Sequence, residues 1–247
     1  MKKKILYWSP FISNVGTVKS TLNSAIAYSR YSLRTKNVGI INVCGEWDEY
    51  EDEIKKNNLN LIKLNFSYFK YLPKKGYIQS RISFFLIFIL SFFPLIKLLN
   101  KQKPDYLIIH LITSLPLLIN YFLKPKSKII LRISGLPKLN FLRKVLWKAT
   151  SKKIYLVTCP SNQTRNDLLK LKIFPKEKLK ILYDPILEVN AISQNLKESF
   201  PRKFKNKKYF LNIGRLTKQK NQILLIKAFS RILKKHSNLD LIIIGEG

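Results

Sequence analysis

Short apolar runs alternate along the chain with longer stretches in which apolar residues recur every three or four positions. Runs of strand length separated by amphipathic helices are typical of βα units packed around a parallel sheet, so the pattern predicts an α/β fold. The predicted strands cover residues 4–8, 38–43, 61–64, 106–110, 128–133, 154–158, 209–213 and 239–244. The predicted helices cover residues 17–33, 78–99, 139–149, 162–171 and 221–235.

The periodicity weakens around a basic, proline-containing stretch, which predicts a boundary between two domains. We expect a complete N-terminal Rossmann-like domain over residues 1–184, a linker over 185–207 and the start of a second Rossmann-like domain over 208–247. One strand, one helix and one strand form a single βαβ unit, which does not cover both faces of a parallel sheet. The second domain is therefore expected to be only begun, either because the natural protein continues past Gly247 or because the gene is truncated.

The charge is strongly unbalanced, with 46 Lys and Arg residues against 14 Asp and Glu residues and a formal net charge of +32. A positive surface attracts nucleic acid, anionic lipid or phosphorylated small molecules. Alternatively, the net charge reflects only a general abundance of lysine in a sequence that is also rich in Asn and Ile. No nucleic-acid-binding module is recognised, so nucleic acid is not an expected partner. The two cysteines, Cys44 and Cys159, lie far apart, which favours a reduced, cytoplasmic location and no metal site.

One segment, residues 82–96, contains no charged side chain. It is shorter than the roughly 20 apolar residues of a membrane-spanning helix, and Pro94 is expected to interrupt it. Lysines and tyrosines just upstream suit a helix that lies in the headgroup layer of an anionic membrane. A buried helix of the α/β core fits the segment equally well. The protein is therefore predicted to be cytoplasmic, with peripheral attachment to the inner face of the plasma membrane as an alternative.

The segment NIGRLTKQKN, residues 212–221, lies between a predicted strand and a predicted helix. Gly214 permits a tight turn, and the free N–H groups at the start of the following helix favour a phosphate. Arg215 offers two parallel donors to diphosphate oxygens, and Lys220 adds a second positive charge. The segment is therefore predicted to bind a phosphate group.

Residues 209–247 resemble the opening of the donor-binding domain in the retaining GT-B glycosyltransferases of family four, also called glycosyl transferases group 1. The resemblance implies a GT-B fold in which Arg215 and Lys220 grip the diphosphate of a nucleotide sugar and carry the catalysis. It also implies that the donor site includes Gly214, Asn221, Gly245 and Glu246. Weaker similarity upstream, including GEW at 45–47 and LRISGLPK at 131–138, is typical of transferases that assemble polysaccharide or O-antigen.

The weaker similarity implies an acceptor cleft lined by Gly16, Thr17, His110, Ser134, Gly135 and Ser161. Ser134 and Gly135 occupy a place where many relatives carry a histidine. His110 also fits a satisfied core residue, and Ser161 fits the N-cap of a helix. The family's pair of glutamates would lie beyond Gly247.

These observations predict a retaining hexosyltransferase that moves a sugar from a nucleotide sugar to a lipid-linked or oligosaccharide acceptor in bacterial surface polysaccharide biosynthesis. No cofactor or metal is expected, because cations and helix N-termini stabilise the leaving diphosphate. The acidic run at 48–53 is interpreted as a solvated helix turn. The alternative is a truncated, non-catalytic chain that serves as a membrane-surface or partner-binding module.

Overall fold

The computed structural model describes residues 3–13, 16–32, 35–74, 76–136, 139–185, 189–196 and 208–246. The chain divides into two compact units, unit 1 over Met1–Leu187 and unit 2 over Glu188–Gly247. Most of the predicted linker, namely residues 186–188 and 197–207, lies outside the described residues, as does Gly247.

Unit 1 contains a seven-stranded sheet in which every pair of neighbouring strands is parallel. The strand order is β3-β2-β1-β4-β5-β6-β7. The order reverses between β1 and β4, and ligands of open α/β sheets bind beside such a reversal, at the C-terminal ends of the strands. The strands are β1 Lys3–Trp8, β2 Thr35–Asn42, β3 Asn60–Lys63, β4 Tyr106–Ile109, β5 Lys128–Arg132, β6 Leu156–Cys159 and β7 Leu179–Ile181.

Helices cover both faces of this sheet, as a parallel sheet requires. Alternate residues of β1 separate the two layers: Leu6 and Trp8 belong to one hydrophobic cluster, and Ile5 and Tyr7 to the other. The predicted α/β fold is therefore confirmed. The helices of unit 1 are α1 Gly16–Tyr31, α2 Glu51–Lys56, α3 Tyr77–Gln102, α4 Ser114–Leu123, α5 Phe141–Thr150 and α6 Asn162–Lys170.

Helix α3 runs for 26 residues through Pro94, so the prediction that this proline interrupts it is wrong. Proline removes one N–H donor and its ring crowds the carbonyl four residues earlier, and the packing of the rest of the helix maintains it across that position. The inner face is a buried stripe with a spacing of four residues: Ser83, Ile87, Ser91, Leu95 and Leu99. Its apolar members belong to the cluster that includes Leu6 and Trp8.

The outer face of α3 is exposed and apolar. It presents Ile78, Ile82, Phe85, Ile89 and Phe93 to solvent. By length and composition alone, residues 78–102 would be able to cross a membrane. The core interpretation of this segment therefore holds for the inner face, and the membrane interpretation stays a prediction for the outer face.

The acidic run at residues 48–53 forms a 3-10 turn followed by α2. Glu51 accepts an ion pair from Lys55 at 2.7 Å, one turn further along the helix. Within the described residues, no group of three or more His, Cys, Asp or Glu side chains is placed to hold a metal ion. The run is thus a helix turn, as predicted.

Unit 2 contains one βαβ unit, with β8 Lys208–Ile213, α8 Gln222–Leu233 and β9 Leu239–Ile244. The two strands are parallel and in register from Lys208↔Leu239 to Ile213↔Ile244. A further helix, α7 Val189–Asn195, lies in the segment predicted as a linker. In α8, Phe229 is buried and its ring packs edge-on against Phe210, with 6.0 Å between the centroids.

Candidate functional site

A cavity of about 440 Å³ lies at the C-terminal ends of β4 and β5, next to the reversal in strand order. Its wall consists of Thr17 from α1, Arg81 and Phe84 from α3, residues 110–114 and 131–135, and Arg143, Leu146 and Trp147 from α5. The structure therefore brings together four of the predicted cleft residues, namely Thr17, His110, Ser134 and Gly135.

The hydrogen bonds of His110 define which of its nitrogens carries the proton. Thr21 donates its hydroxyl to the carbonyl of Thr17 at 2.8 Å, so its oxygen accepts from Nδ1–H of His110 at 3.0 Å. Nε2 of His110 then carries a lone pair, and the hydroxyl of Ser134 donates to it. The imidazole thus presents an acceptor nitrogen toward the cavity wall.

Burial and, secondarily, the positive charge of Arg132 lower the pKa of His110 to about 4, against an opposing contribution from Asp184. His110 is therefore neutral at pH 7. A neutral imidazole with an accepting Nε2 is able to orient a hydroxyl group, either that of Ser134 or that of a bound molecule.

Arg132, at the end of β5, forms a buried ion pair with Asp184. The guanidinium is 3% exposed and also donates to Oγ of Ser20 on α1 at 2.9 Å. Asn23 of the same helix donates to the carbonyl of Pro185 at 2.8 Å. These contacts tie α1, β5 and the segment after β7 together beneath the cavity.

In unit 2, the loops after β8 and β9 are joined by their main chains. The N–H of Gly214 donates to the carbonyl of Ile244 at 2.9 Å, and that of Leu216 donates to the carbonyl of Glu246 at 2.8 Å. A Cβ on Gly245 would lie 1.9 Å from the carbonyl oxygen of Gly214, so only glycine fits there. Gly214, Arg215, Gly245 and Glu246 consequently lie at one edge of the two strands.

The two predicted cations of this turn, Arg215 and Lys220, are both exposed. The side chain of Lys220 packs beside Gly214: a Cβ added to Gly214 would lie 3.7 Å from Cε of Lys220. The carbonyl of Arg215 accepts from the side-chain amide of Gln222 at 2.9 Å. Asn221 precedes α8 in a left-handed conformation, with φ of 50°, and makes no side-chain cap. The turn therefore presents two cations beside a helix start that lacks a side-chain cap, an arrangement suited to an anion.

Residues 194–247 match the family described as glycosyl transferases group 1. The matched segment contains the whole of the turn and both cations. A stretch of 76 residues, 29% of this chain, is 40% identical to an uncharacterized glycosyltransferase of Methanocaldococcus jannaschii, of which it covers 18%. The relation to glycosyl transferases group 1 is thus carried by the C-terminal part of the chain.

Solved structures resemble the chain over nearly its full length. HepE of Anabaena, solved in complex with UDP and glucose, superposes with a TM-score of 0.61 and 14% identity, covering 99% of this chain and 61% of that protein. A glycosyltransferase of Rickettsia africae superposes with a TM-score of 0.60 and 19% identity, covering 99% of this chain and 60% of that protein. The UDP-N-acetylglucosamine 2-epimerase of Rickettsia bellii superposes with a TM-score of 0.58 and 12% identity, covering 99% of this chain and 62% of that protein. The chain therefore has the fold of these proteins and spans about three fifths of their length.

Two predicted cleft residues do not line the cavity. Ser161 is the N-cap of α6 and accepts from the N–H of Thr164 at 3.1 Å, as its alternative interpretation predicted. Gly16 is the first residue of α1, and a Cβ at this position would meet nothing within 4 Å. A role for either residue in acceptor binding stays a prediction.

Sequence reasoning missed four residues of this region: Arg81, Arg132, Arg143 and Asp184. The sequence offered two signals for them: the position of Arg81 at the boundary of the apolar segment, and the position of Arg132 within the LRISGLPK stretch. Their association depends on the packing of α3 and α5 against the sheet, which no local spacing encodes.

Proposed function

We propose that the protein containing this chain transfers a glycosyl group from a nucleotide sugar to an acceptor hydroxyl. The observation that carries the proposal is that Arg215 and Lys220 lie on a turn held by main-chain bonds, inside the segment that matches glycosyl transferases group 1. The fold shared with HepE, which was solved with UDP and glucose, supports a nucleotide sugar as the donor.

In the proposed reaction, the bond between the anomeric carbon and a diphosphate oxygen breaks, and the electron pair remains on the nucleotide diphosphate. The acceptor oxygen forms the new bond on the same face of the sugar and passes its proton to the departing diphosphate oxygen, so the configuration is retained. Arg215, Lys220 and the start of α8 stabilise the developing negative charge, which requires no metal ion in this proposal. Gly214, Asn221, Gly245 and Glu246 shape the donor site around them.

We assign acceptor binding to the cavity of unit 1. Neutral His110 either accepts a hydrogen bond from the acceptor hydroxyl directly or positions that hydroxyl through Ser134. Thr17 and Gly135 form part of the surrounding wall. The proposed acceptor is a lipid-linked or oligosaccharide intermediate of bacterial surface polysaccharide synthesis, and the proposed donor sugar is a hexose.

A substrate panel tests the proposed function. The natural-length protein is incubated with UDP-, GDP- and dTDP-hexoses and a lipid extract of the source cells, and release of nucleotide diphosphate is followed over time. We expect release with one nucleotide class that depends on the extract. A folded protein that binds none of these nucleotides and releases no diphosphate would contradict the proposal.

The outer face of α3 supports a second part of the proposal, peripheral attachment to the inner face of the plasma membrane. Phe85 and Phe93 are 63% and 78% exposed. Arg81 and Lys97 flank the uncharged segment 82–96, and the chain carries a net charge of +32. Apolar side chains that enter the headgroup layer and cations that meet anionic lipid both favour this attachment.

Replacing Phe93 by Ser is expected to weaken binding to vesicles containing phosphatidylglycerol by about ten-fold, because one large apolar side chain no longer leaves water. The measurement is co-sedimentation over a range of lipid concentrations. Tyr31→Ser is the matched control, since Tyr31 is 80% exposed on α1, on the opposite face of the sheet.

Equal vesicle binding by the Phe93 and Tyr31 variants would rule out attachment through α3. If vesicle binding depends on Phe93 while the substrate panel gives no turnover, the alternative of a non-catalytic membrane-surface module is favoured.

A further inference from the structure

Three arginines line the cavity of unit 1: Arg132 is paired with Asp184, and the other two come from separate helices. Arg81 is in the first turns of α3, and Arg143 is in α5. Both side chains keep contact with solvent. Both residues line the same cavity. Partial burial and, secondarily, the positive charge of Arg81 lower the pKa of Arg143. An anion bound in the cavity would interact favourably with both positive charges.

Hydroxyl groups extend the cationic part of the cavity. Oγ1 of Thr17 is buried and has no hydrogen-bond partner within the described part of the chain. Thr113 and Ser114, at the start of α4, also line the cavity, and Thr113 makes no side-chain cap to that helix. Guanidinium groups, hydroxyls and uncapped N–H groups are the donors that phosphate oxygens accept from.

An apolar surface adjoins these donors. Phe84, Leu146 and Trp147 line the same cavity. Ile78, Ile82 and Phe85, within a turn of Arg81 on α3, are exposed and begin the outer apolar face of that helix. A ligand that fits both surfaces carries an anionic group attached to an apolar chain.

We infer that the cavity binds the phosphate or diphosphate of a lipid-linked acceptor between Arg81 and Arg143, with the lipid chain against the outer face of α3. The inference rests on the proposed function, since it names the chemical class of the acceptor. It is distinct from donor binding, which we assign to Arg215 and Lys220 in unit 2.

Two probes separate the phosphate from the lipid: inorganic pyrophosphate, and farnesyl diphosphate used below its critical micelle concentration. Titration calorimetry on the natural-length protein measures the Kd of each. We expect farnesyl diphosphate to bind at least ten-fold more tightly than pyrophosphate, because it adds apolar contact to the same phosphate contacts. Equal Kd values would overturn the lipid part of the inference.

The variants Arg81→Ala and Arg143→Ala are each expected to raise the Kd of farnesyl diphosphate by about 10- to 100-fold, the effect of losing charge-assisted hydrogen bonds. Lys144→Ala is the matched control, because it removes one positive charge next to Arg143 at a residue that does not line the cavity. We expect less than a two-fold change from it. Arg143→Lys, which keeps the charge without the paired donors, is expected to give an intermediate Kd.

Equal Kd values for the two alanine variants and for Lys144→Ala would overturn the inference, provided that circular dichroism shows all three folded. Titration with UDP distinguishes this failure from failure of the proposed function. Arg81→Ala is expected to leave the Kd of UDP unchanged, and Arg215→Ala is expected to raise it while farnesyl diphosphate still binds. If no nucleotide binds but Arg81 still determines the Kd of farnesyl diphosphate, the proposed donor chemistry fails and the phosphate site remains.

Discussion

Replacing Arg215 by Ala is expected to lower kcat/KM for glycosyl transfer by about 100- to 1000-fold, the loss seen when one preorganised donor to a developing oxyanion is removed. The guanidinium is exposed, and Arg215 contributes to the turn through its main-chain carbonyl, which accepts from Thr217 and Gln222. Alanine keeps that carbonyl in place. The variant should therefore unfold at the same denaturant concentration as the natural protein, and initial rates of nucleotide diphosphate release report the catalytic loss.

Lys218→Ala is the matched control for Arg215→Ala. Lys218 is an exposed cation of the same turn that the resemblance does not assign to the donor site. We expect it to change kcat/KM by less than about three-fold, because no direct contact with the diphosphate is assigned to Lys218 and its charge would act only across water and salt. If both variants lose activity equally, the effect is one of net charge, and the assigned role of Arg215 is wrong.

Replacing Asp184 by Ala is expected to lower the free energy of unfolding by about 3–5 kcal/mol, because it leaves the Arg132 guanidinium buried without its counter-charge. Arg132 is 3% exposed, and its Nε has no hydrogen-bond partner among the described residues. The remaining bond to Ser20 does not neutralise the charge. Urea unfolding followed by tryptophan fluorescence measures the loss.

Asp167→Ala provides the comparison for Asp184→Ala. On the surface of α6, Oδ1 of Asp167 lies 3.9 Å from Nζ of Lys170. Such surface ion pairs contribute at most about 1 kcal/mol to the free energy of unfolding. Asp184→Asn, which keeps an acceptor for Arg132, should fall between the two alanine variants and serves as the test if Asp184→Ala does not fold. Equal loss in the Asp184 and Asp167 variants would show that the buried pair is not important for stability.

Most strands and most helices were predictable because their signal is local. β9 spans Leu239–Ile244, the predicted range, and β1 begins one residue before its predicted start. Strands buried on both faces read as continuous apolar runs, and the amphipathic helices between them show a period of 3.6. Their parallel pairing follows from the βα alternation, whereas the order of the strands in the sheet was not predicted.

Two elements of the sheet domain were missed for identifiable reasons. α4 has the sequence SLPLLINYFL, which is short, strongly apolar and without a charged residue, so no charged face marks it as a helix of the sheet surface. Its Pro116 lies in the first turn, where a missing N–H costs little. β7 has only three residues, and its pairing with β6 rather than any sequence pattern defines it as a strand.

The candidate sites differ in how much of them the sequence encodes. The turn from Gly214 to Asn221 is contiguous in the chain, so spacing alone indicated a strand, a phosphate turn and a helix. The cavity of unit 1 joins α1, α3 and α5 with two loops. Arg81 and Arg143 could not be recognised as a pair from the sequence, because only the packing of α3 and α5 brings both to the wall of this cavity.

Pro94 limits how deeply the proposed membrane contact extends. Because proline has no N–H, the carbonyl of Leu90 lacks the donor that residue 94 would otherwise supply. Leu90 is 41% exposed. In hydrocarbon a carbonyl without a donor costs several kcal/mol, whereas water among the lipid headgroups hydrates it. The proline therefore favours a helix that lies at the hydrated boundary of the bilayer, with its aromatic rings inserted just below the glycerol layer.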